Sequence, residues 1–281
     1  MQREFLPLDG FRAITLAVNV PGPAAACRLR KLGAEITKVE PPDGDPLEAF
    51  CPAWYTALHE GIETIRLNLK DPEERSGLEG LLAESDLLLT SSRPAALERL
   101  GLGWPQLQQR HPHLSQVSIV GYPPPDENVP GHDLTYQADL GLIRPPQMPR
   151  TLLADLAGAE RAVSAALGLL LARERGGEAG YAQVSLAEAA SSFADPLRHG
   201  LTAPGGPLGG GLPGYALYET KRGWIAIAAL EPHFLKRLER GLGLKAATRG
   251  ELEEAFRTRD AQSWESWGAE RDLPIAALPE S

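Results

Sequence analysis

The chain is poor in the features that mark several common classes of protein. It has only two cysteines in 281 residues, Cys27 and Cys51, and no His/Cys cluster has zinc-site spacing, so neither a disulfide scaffold nor a structural zinc is expected. A formal net charge of −9 disfavours broad binding to nucleic acids or to anionic membranes. Apolar runs fall short of the roughly 18 residues of a membrane span, and the N-terminus shows no signal-peptide pattern. These absences predict a cytoplasmic protein.

The short motifs of well-known nucleotide and acyl-transfer sites are absent too. The sequence has no P-loop, no G-x-G-x-x-G and no G-x-S-x-G nucleophile elbow. Residues 205–211 are rich in glycine, but the pattern predicts no helix after them that could hold a pyrophosphate. A nucleotide cofactor is therefore not predicted.

What the chain does have is a regular alternation of strands and helices over its first 120 residues. Strands are predicted at 12–18 and 35–39 around a helix over 24–32, with Pro21-Gly22-Pro23 as a break before the helix and Gly33 ending it. The same pattern continues through strands at 64–69, 86–90 and 116–120 and helices at 71–84, 94–100 and 105–110. Such alternation predicts a Rossmann-like parallel sheet.

The rest of the chain predicts a long helix and then a smaller domain. A Pro/Gly-rich loop over 121–150 holds one short helix near 133–141, and the helix over 151–175 is capped early by Asp155. The later elements are a strand at 181–186, a helix at 186–200, a hairpin at 215–230, helices at 232–242, 249–256 and 261–267, and a strand at 273–278. We therefore predict a large α/β domain over 1–200, a Gly/Pro-rich linker over 201–214 and a small α+β domain over 215–281.

Asp155 is the first candidate for chemistry. A carboxylate at the start of an apolar helix is commonly an N-cap with no other role. The residues Ala157, Gly158 and Ala159 that follow are small, so a ligand could approach the helix end, where free N–H groups could stabilise an oxyanion. Both interpretations stay open from the residues alone.

His132 is the second candidate, in the segment Pro130-Gly131-His132-Asp133. A histidine in such a loop is often solvated surface, but histidine is also the residue type best suited to exchange a proton near neutral pH. An aspartate and a histidine that faced one substrate would suffice to move a proton on and off carbon.

Five further residues stand at or near the ends of predicted elements. Glu231 precedes a proline that opens a helix, and it is either a cap or a carboxylate that orients a histidine. Tyr215 and Tyr218 face opposite sides of one strand, so one of them is expected in the core. Lys38 and Arg93 lie at the strand ends where open α/β sheets bind ligands, and they either contact phosphate or are solvated charges.

Several segments together carry a family resemblance that covers residues 6–278. The chain resembles the family III CoA-transferases (CaiB/BaiF), a group that includes formyl-CoA transferase, carnitine CoA-transferase and alpha-methylacyl-CoA racemase. Its Gly-His-Asp and Ala-x-Glu-Pro-x-Phe motifs are similar to those of the racemase branch. The matching segments are VNVPGPAAACRLRKLGAEITKVEPP, LNLKDPE, SSRPAALERLGLG, VSIVGY, PGHDLTYQ, LLADLAGAERAVSAALGLLLARERGGEAG and YALYETKRGWIAIAALEPHFL.

The resemblance implies an acyl-CoA substrate and three catalytic positions. Asp155 matches the family's catalytic aspartate, His132 the histidine of the racemases and Glu231 the carboxylate partner of that histidine. In racemases this aspartate and histidine exchange the α-proton from opposite faces of a thioester enolate. In transferases the aspartate instead attacks an acyl-CoA and forms a covalent aspartyl intermediate.

The resemblance also implies where the substrate is held. Asp133 and Tyr215 match pocket positions, to which we add Gly158 of the small-residue stretch, and Lys38 and Arg93 match basic residues near the CoA phosphates. It implies a Rossmann-like large domain with a smaller α+β domain, an intertwined homodimer, and no metal or redox cofactor beyond CoA as part of the substrate.

One turn departs from the family pattern. The usual basic Asn-Arg-Gly turn is replaced here by residues 59–64, which include the acidic Glu60 and Glu63. The sequence therefore predicts a racemase-like enzyme acting on a 2-methylacyl-CoA, with two alternatives: a CoA-transferase using Asp155 covalently, or a non-catalytic acyl-CoA-binding relative.

Overall fold

The strands predicted in the first 186 residues form one six-stranded sheet in the computed structural model, which describes residues 5–279. All neighbouring strands are parallel, and their order is β3-β2-β1-β4-β5-β6, the doubly wound order of Rossmann folds. This confirms the predicted fold class. The strands are β1 (Arg12–Thr15), β2 (Glu35–Glu40), β3 (Glu63–Arg66), β4 (Leu87–Thr90), β5 (Ser115–Val120) and β6 (Tyr181–Ser185).

Helices connect these strands and cover both faces of the sheet. The break predicted at residues 21–23 is wrong: these residues form the first turn of α1, because proline is well tolerated at the start of a helix. The short helices α2 and α3 were not predicted. The helices are α1 (Pro21–Lys31), α2 (Pro46–Phe50), α3 (Pro52–Leu58), α4 (Pro72–Ala83), α5 (Pro94–Arg99), α6 (Trp104–Arg110), α7 (Asp133–Asp139), α8 (Leu153–Glu174) and α9 (Leu186–Ser191).

Alternate residues of the central strands pack into two apolar clusters. In β4, Leu87 and Leu89 join the cluster under α1 and α8, whereas Leu88 joins the cluster under α4, α5 and α6. Burial on both faces explains why this strand is a continuous run of apolar residues. The arrangement fixes α8 against the sheet.

The chain divides into two compact units between Phe193 and Ala194, so the glycine-rich segment over 201–214 belongs to the second unit. That unit begins with α10 (Asp195–Arg198) and contains a three-stranded antiparallel sheet of β7 (Tyr215–Glu219), β8 (Trp224–Ala228) and β9 (Ile275–Ala277). The predicted hairpin and the three later helices are confirmed: α11 (Pro232–Leu242), α12 (Arg249–Phe256) and α13 (Ala261–Ala269).

The core of the second unit is aromatic. Tyr218, Phe256, Trp264 and Trp267 lie in one buried cluster with the inner face of the sheet, and the Trp264 indole N–H donates to the Phe256 carbonyl at 2.8 Å. Across residues 5–279, no helix combines the length and the apolar character needed to cross a bilayer.

Candidate active site

Asp155 is the third residue of α8 and does not cap that helix. The residue at the cap position is Leu152, whose side chain makes no capping bond. The cap is supplied from α7 instead: the Asp133 Oδ1 atom accepts from the N–H groups of Ala154 at 2.7 Å and Asp155 at 3.2 Å. The predicted capping role of Asp155 is therefore wrong, and in the structure its carboxylate does not satisfy the helix end.

The same contacts correct the expected oxyanion site. Two of the N–H groups at the start of α8 already donate to the Asp133 carboxylate, so they are not available to an enolate oxygen. An enolate formed beside Asp155 must take its hydrogen bonds from other donors.

Asp133 is itself held by Gln137, one helical turn further along α7. The Gln137 side-chain amide donates to Asp133 Oδ2 at 2.5 Å and to the Thr151 carbonyl at 3.1 Å. Asp133 and Gln137 are both buried. Gln137 was not among the predicted site residues, although its i,i+4 spacing from an aspartate at a helix start is a signal that the sequence contains.

The electrostatic setting of Asp155 is unusual for a carboxyl group. Burial, and secondly the negative charge of Asp133, raise the pKa of Asp155 to about 7. At neutral pH the carboxyl group is therefore present in both protonation states. A carboxyl group whose pKa lies near the working pH can serve either as a general base or as a general acid.

His132 stands immediately before α7 as its N-cap residue. Its backbone is fixed by Thr135: the His132 N–H donates to Thr135 Oγ1 at 3.1 Å, and the Thr135 hydroxyl donates to the His132 carbonyl at 2.8 Å. The His132 side chain is exposed. Asp133 follows His132 and accepts from the backbone N–H of Asp155 at 3.2 Å, so the segment that carries His132 is joined to the start of α8. That the His132 and Asp155 side chains face one substrate stays a prediction.

Gly131 has a clear structural reason to be glycine. A Cβ atom there would lie 2.5 Å from Cε1 of Tyr136, whose ring is buried below the loop. Burial, followed by Tyr122 and Asp155, raises the pKa of Tyr136 to about 12. The loop that carries His132 therefore rests directly on a neutral tyrosine.

Gly158 packs against a neighbouring helix. A Cβ atom at Gly158 would lie 2.2 Å from Cδ2 of Leu186 at the start of α9. Small size at this position allows α8 and α9 to approach closely. Its predicted place in the substrate pocket stays a prediction, and the contact observed is one of packing.

Lys38 lies in a buried ionic cluster at the end of β2, with its side chain fully covered. Its Nζ atom is 3.0 Å from Glu40 Oε1, 2.5 Å from Asp45 Oδ2 and 2.7 Å from His59 Nε2. Glu40, Asp45 and His59 have metal-ligand atoms within 4.8 Å of one another, but the lysine ammonium supplies the positive charge among them. Predicted to bind CoA phosphates, Lys38 offers no surface to a phosphate in this arrangement.

The contacts of His59 define its tautomer. Its Nδ1 atom is 2.6 Å from the Tyr55 carbonyl, which can only accept, so Nδ1 carries the proton and Nε2 accepts from Lys38. Burial lowers the pKa of His59, in keeping with a neutral ring. Each of the three Lys38 N–H donors therefore has an acceptor.

Arg93 fits the predicted sheet-edge position better than Lys38 does. It lies three residues after β4, immediately before α5, and its side chain is exposed.

The first turn of α1 has few backbone N–H groups to offer an anion. Two prolines remove donors there, and the Ala24 N–H donates to the Val20 carbonyl. Gly22 therefore supplies the one N–H of residues 21–24 that is left for an anion, fewer than a dinucleotide site uses.

Glu231 and Tyr215 belong to the second unit. Glu231 is exposed at the N-cap of α11, and its side chain makes no capping bond. Tyr218 is the buried member of the tyrosine pair, as the alternation predicts, while Tyr215 lines a cavity of about 670 Å³ together with Leu217, Ala226 and Arg249. The roles predicted for Glu231 and Tyr215 stay predictions, because their proposed partners lie in the other unit.

A comparison with known protein families decides the affiliation of the chain. The model of CoA-transferase family III matches residues 8–280. The chain belongs to CoA-transferase family III. Human alpha-methylacyl-CoA racemase is 31% identical over 261 residues, which cover 86% of this chain and 66% of the racemase. Acetyl-CoA:oxalate CoA-transferase of Acetobacter aceti is 30% identical over 212 residues, covering 69% of this chain and 54% of the transferase.

Solved structures agree with this assignment. The Rv3272 protein of Mycobacterium tuberculosis superposes with a TM-score of 0.84 at 27% identity, covering 98% of this chain and 84% of that protein. The family III chain spans between half and two thirds of the length of the curated relatives described above.

Proposed function

We propose that this family III protein exchanges the α-proton of an acyl-CoA thioester, as a racemase or epimerase of a 2-methylacyl-CoA. The observation that carries the proposal is the Asp155 carboxyl group, which is released from capping by Asp133 and has a pKa raised to about 7 by burial. The proposal also draws on the racemases among the relatives.

In the proposed reaction the enzyme uses two different bases. One of Asp155 and His132 removes the C2 proton, and the C–H electron pair forms the enolate double bond while the carbonyl pair moves to oxygen. The other group then delivers a proton to the opposite face of C2, which inverts the centre. Proton transfer by positioned groups of this kind contributes about 10² to 10⁴-fold in rate.

A single experiment tests the proposal. The protein is incubated with a 2-methylacyl-CoA in deuterated water, and deuterium at C2 is followed by mass spectrometry. We expect label in the wild-type reaction and a loss of at least about 100-fold in Asp155→Ala and His132→Ala. Wild-type protein that leaves C2 unlabelled would refute the proposal.

The CoA-transferase alternative is favoured by the relatives that carry that name. In that reaction ionised Asp155 would attack the thioester carbonyl, form an aspartyl anhydride and release the CoA thiolate. Hydroxylamine would trap this acyl-enzyme as an aspartyl hydroxamate. Trapping together with absence of C2 exchange would select transfer over racemisation.

The non-catalytic alternative is favoured by the acidic turn. Glu60 and Glu63 are both exposed, where the resemblance implies basic residues near CoA. Calorimetry with CoA discriminates when it is combined with the two activity tests: binding without C2 exchange and without hydroxamate would select this alternative, and a lack of binding at millimolar concentration would remove both enzymatic proposals and acyl-CoA binding with them.

The proposal includes a setting for the reaction. Proton exchange by a carboxyl and an imidazole needs no metal or redox cofactor, so CoA is expected only as part of the substrate. The family resemblance supports a homodimer, and the two free cysteines suit the reducing cytoplasm. Light scattering on the purified protein would test the dimer directly.

A further inference from the structure

Gln137 contacts two groups that together define the start of α8. Its amide binds Asp133, which caps the helix, and it also binds the Thr151 carbonyl in the chain that leads into the helix. The two contacts use both N–H donors of one amide, and the side chain is buried. No other polar role is left to those donors.

We propose that Gln137 is a positioning residue for Asp155: it holds the Asp133 carboxylate on the first N–H groups of α8 and thereby fixes both the turn and the charge beside Asp155. The inference rests on the proposed function of Asp155 as the proton-exchanging group. The side-chain amide of Gln137 binds Asp133 and Thr151, so its effect on Asp155 passes through Asp133.

The physical argument depends on the orientation of Asp133. One carboxylate oxygen of Asp133 faces α8 and the other faces Gln137, so rotation of the carboxylate would break contacts on both sides. Loss of the Gln137 amide would leave the buried Asp133 Oδ2 atom without a hydrogen-bond donor. Because an unpaired buried carboxylate oxygen is costly, the Asp133 carboxylate would move towards water. The negative charge beside Asp155 would move with it.

The titratable groups around this site in the described part of the chain come from α7 and from the segments beside it. Asp133 and Tyr136 come from α7, Tyr122 packs edge-on against Tyr136, and His132 precedes α7. Asp133 is the charged group that acts on Asp155, so its position is what Gln137 can control.

Two substitutions at position 137 separate positioning from simple packing. Gln137→Met keeps the side-chain length but removes both donors, whereas Gln137→Glu places a second carboxylate beside Asp133. The titration of the Asp155 carboxyl carbon is followed by NMR, and C2 exchange is measured over the same pH range. The matched control is Gln116→Met, which removes a buried amide that donates to the Leu102 carbonyl at 3.2 Å.

We expect the two variants to move the Asp155 titration in opposite directions. Gln137→Met should shift it to lower pH and reduce kcat for exchange about 10- to 100-fold with little change in KM, because misplacement of a catalytic group lowers the rate of chemistry. Gln137→Glu should shift it to higher pH. Gln116→Met should leave the titration unchanged.

Shifts in the same direction for both variants, or an equal shift in Gln116→Met, would overturn the inference. If Gln137→Met fails to fold, the titration of Gln137→Glu decides alone, and an unchanged midpoint overturns the inference. The NMR readout needs no turnover, so a wild-type protein without C2 exchange would refute the proposed function and leave the Gln137 test intact.

Discussion

The first unit contains two pairs of buried or half-buried carboxyl groups whose chemistry differs because of one lysine. Glu40 and Asp45 lie around the Lys38 ammonium, at 3.0 and 2.5 Å. Asp133 and Asp155 lie at the start of α8 with backbone and amide N–H groups as the partners of Asp133. Both pairs include a carboxylate that caps a helix, since Asp45 accepts from the Leu47 N–H at 2.9 Å.

The two pairs differ in whether a cation lies close to the carboxyl groups. In the Lys38 cluster an ammonium offsets the two carboxylates, and the cluster ties β2 to α2 and α3. At the start of α8 no cation of residues 5–279 forms an ion pair with either group, and burial together with the Asp133 charge raises the pKa of Asp155 to about 7. The cationic cluster is therefore suited to holding the fold, and the uncompensated pair is suited to proton exchange.

Removal of the lysine gives the largest expected effect. Lys38→Met should destabilise the protein by about 3–5 kcal/mol, because it removes the ammonium from two buried carboxylates and leaves only the half-exposed Arg66, at 3.6 Å from Glu40, as a counter-charge. Urea unfolding at pH 7 measures the loss. The control is Lys70→Met at an exposed position, for which we expect a change within about 0.5 kcal/mol. Stability of Lys38→Met that equals the wild type at pH 7 would contradict a structural role for the ammonium.

Removal of the Asp155 charge should stabilise the protein. The folded pKa is raised to about 7 from 3.8, so the folded state holds the proton more tightly than the unfolded chain. The stability of the wild type should therefore fall as the pH rises from about 4 to about 7 and stay level above that. Asp155→Asn, which does not titrate, should exceed the wild type by about 2 kcal/mol at pH 8, a value discounted for partial exposure.

The pH dependence of the unfolding free energy distinguishes the effect of the Asp155 charge from a general effect of the substitution. Unfolding free energies of wild type and Asp155→Asn should coincide at pH 4 and separate above it, while Asp43→Asn at an exposed position should follow the wild type throughout. If Asp155→Asn were less stable than the wild type at pH 8, the ionised Asp155 carboxylate would not be destabilising in the folded protein, and the prediction would be wrong.

Most of the fold could be predicted from the sequence because its signals are local. Apolar runs such as Leu87–Leu89 and cap pairs such as Asp71-Pro72 depend on near neighbours in the chain. The structure confirms the strand and the helix that these two patterns predict. The α1 start was misplaced because proline disrupts a helix interior yet suits a first turn, and the sequence does not show which applies.

The site could be predicted only in part because its contacts join distant segments. The residue types and positions of His132 and Asp155 were readable, but the cap that Asp133 provides crosses 21 residues to reach Ala154. For the same reason the burial of Lys38 was not foreseen: its acceptors come from β2, the start of α2 and the end of α3, and their convergence exists only in the folded chain.

Neutralising Asp133 should give a smaller effect than neutralising Asp155. Asp133→Asn keeps a side-chain oxygen for the Ala154 N–H but removes the charge. The midpoint of the Asp155 titration should move to lower pH by less than half of its total displacement, since burial is the larger cause. Carboxyl NMR measures the midpoint, and an unchanged value would show that the Asp133 charge does not reach Asp155.

The smallest expected effect tests how well the Lys38 cluster is satisfied. The Tyr55 hydroxyl donates to Glu40 Oε1 at 2.8 Å, and the same oxygen also accepts from Lys38. Tyr55→Phe therefore leaves that oxygen with a donor and should cost about 1 kcal/mol in urea unfolding. Tyr122→Phe, which loses a longer bond of 3.3 Å to exposed Asp139, is the matched control and should cost less. A loss for Tyr55→Phe as large as that for Lys38→Met would contradict the view that the Lys38 ammonium is the main partner of Glu40.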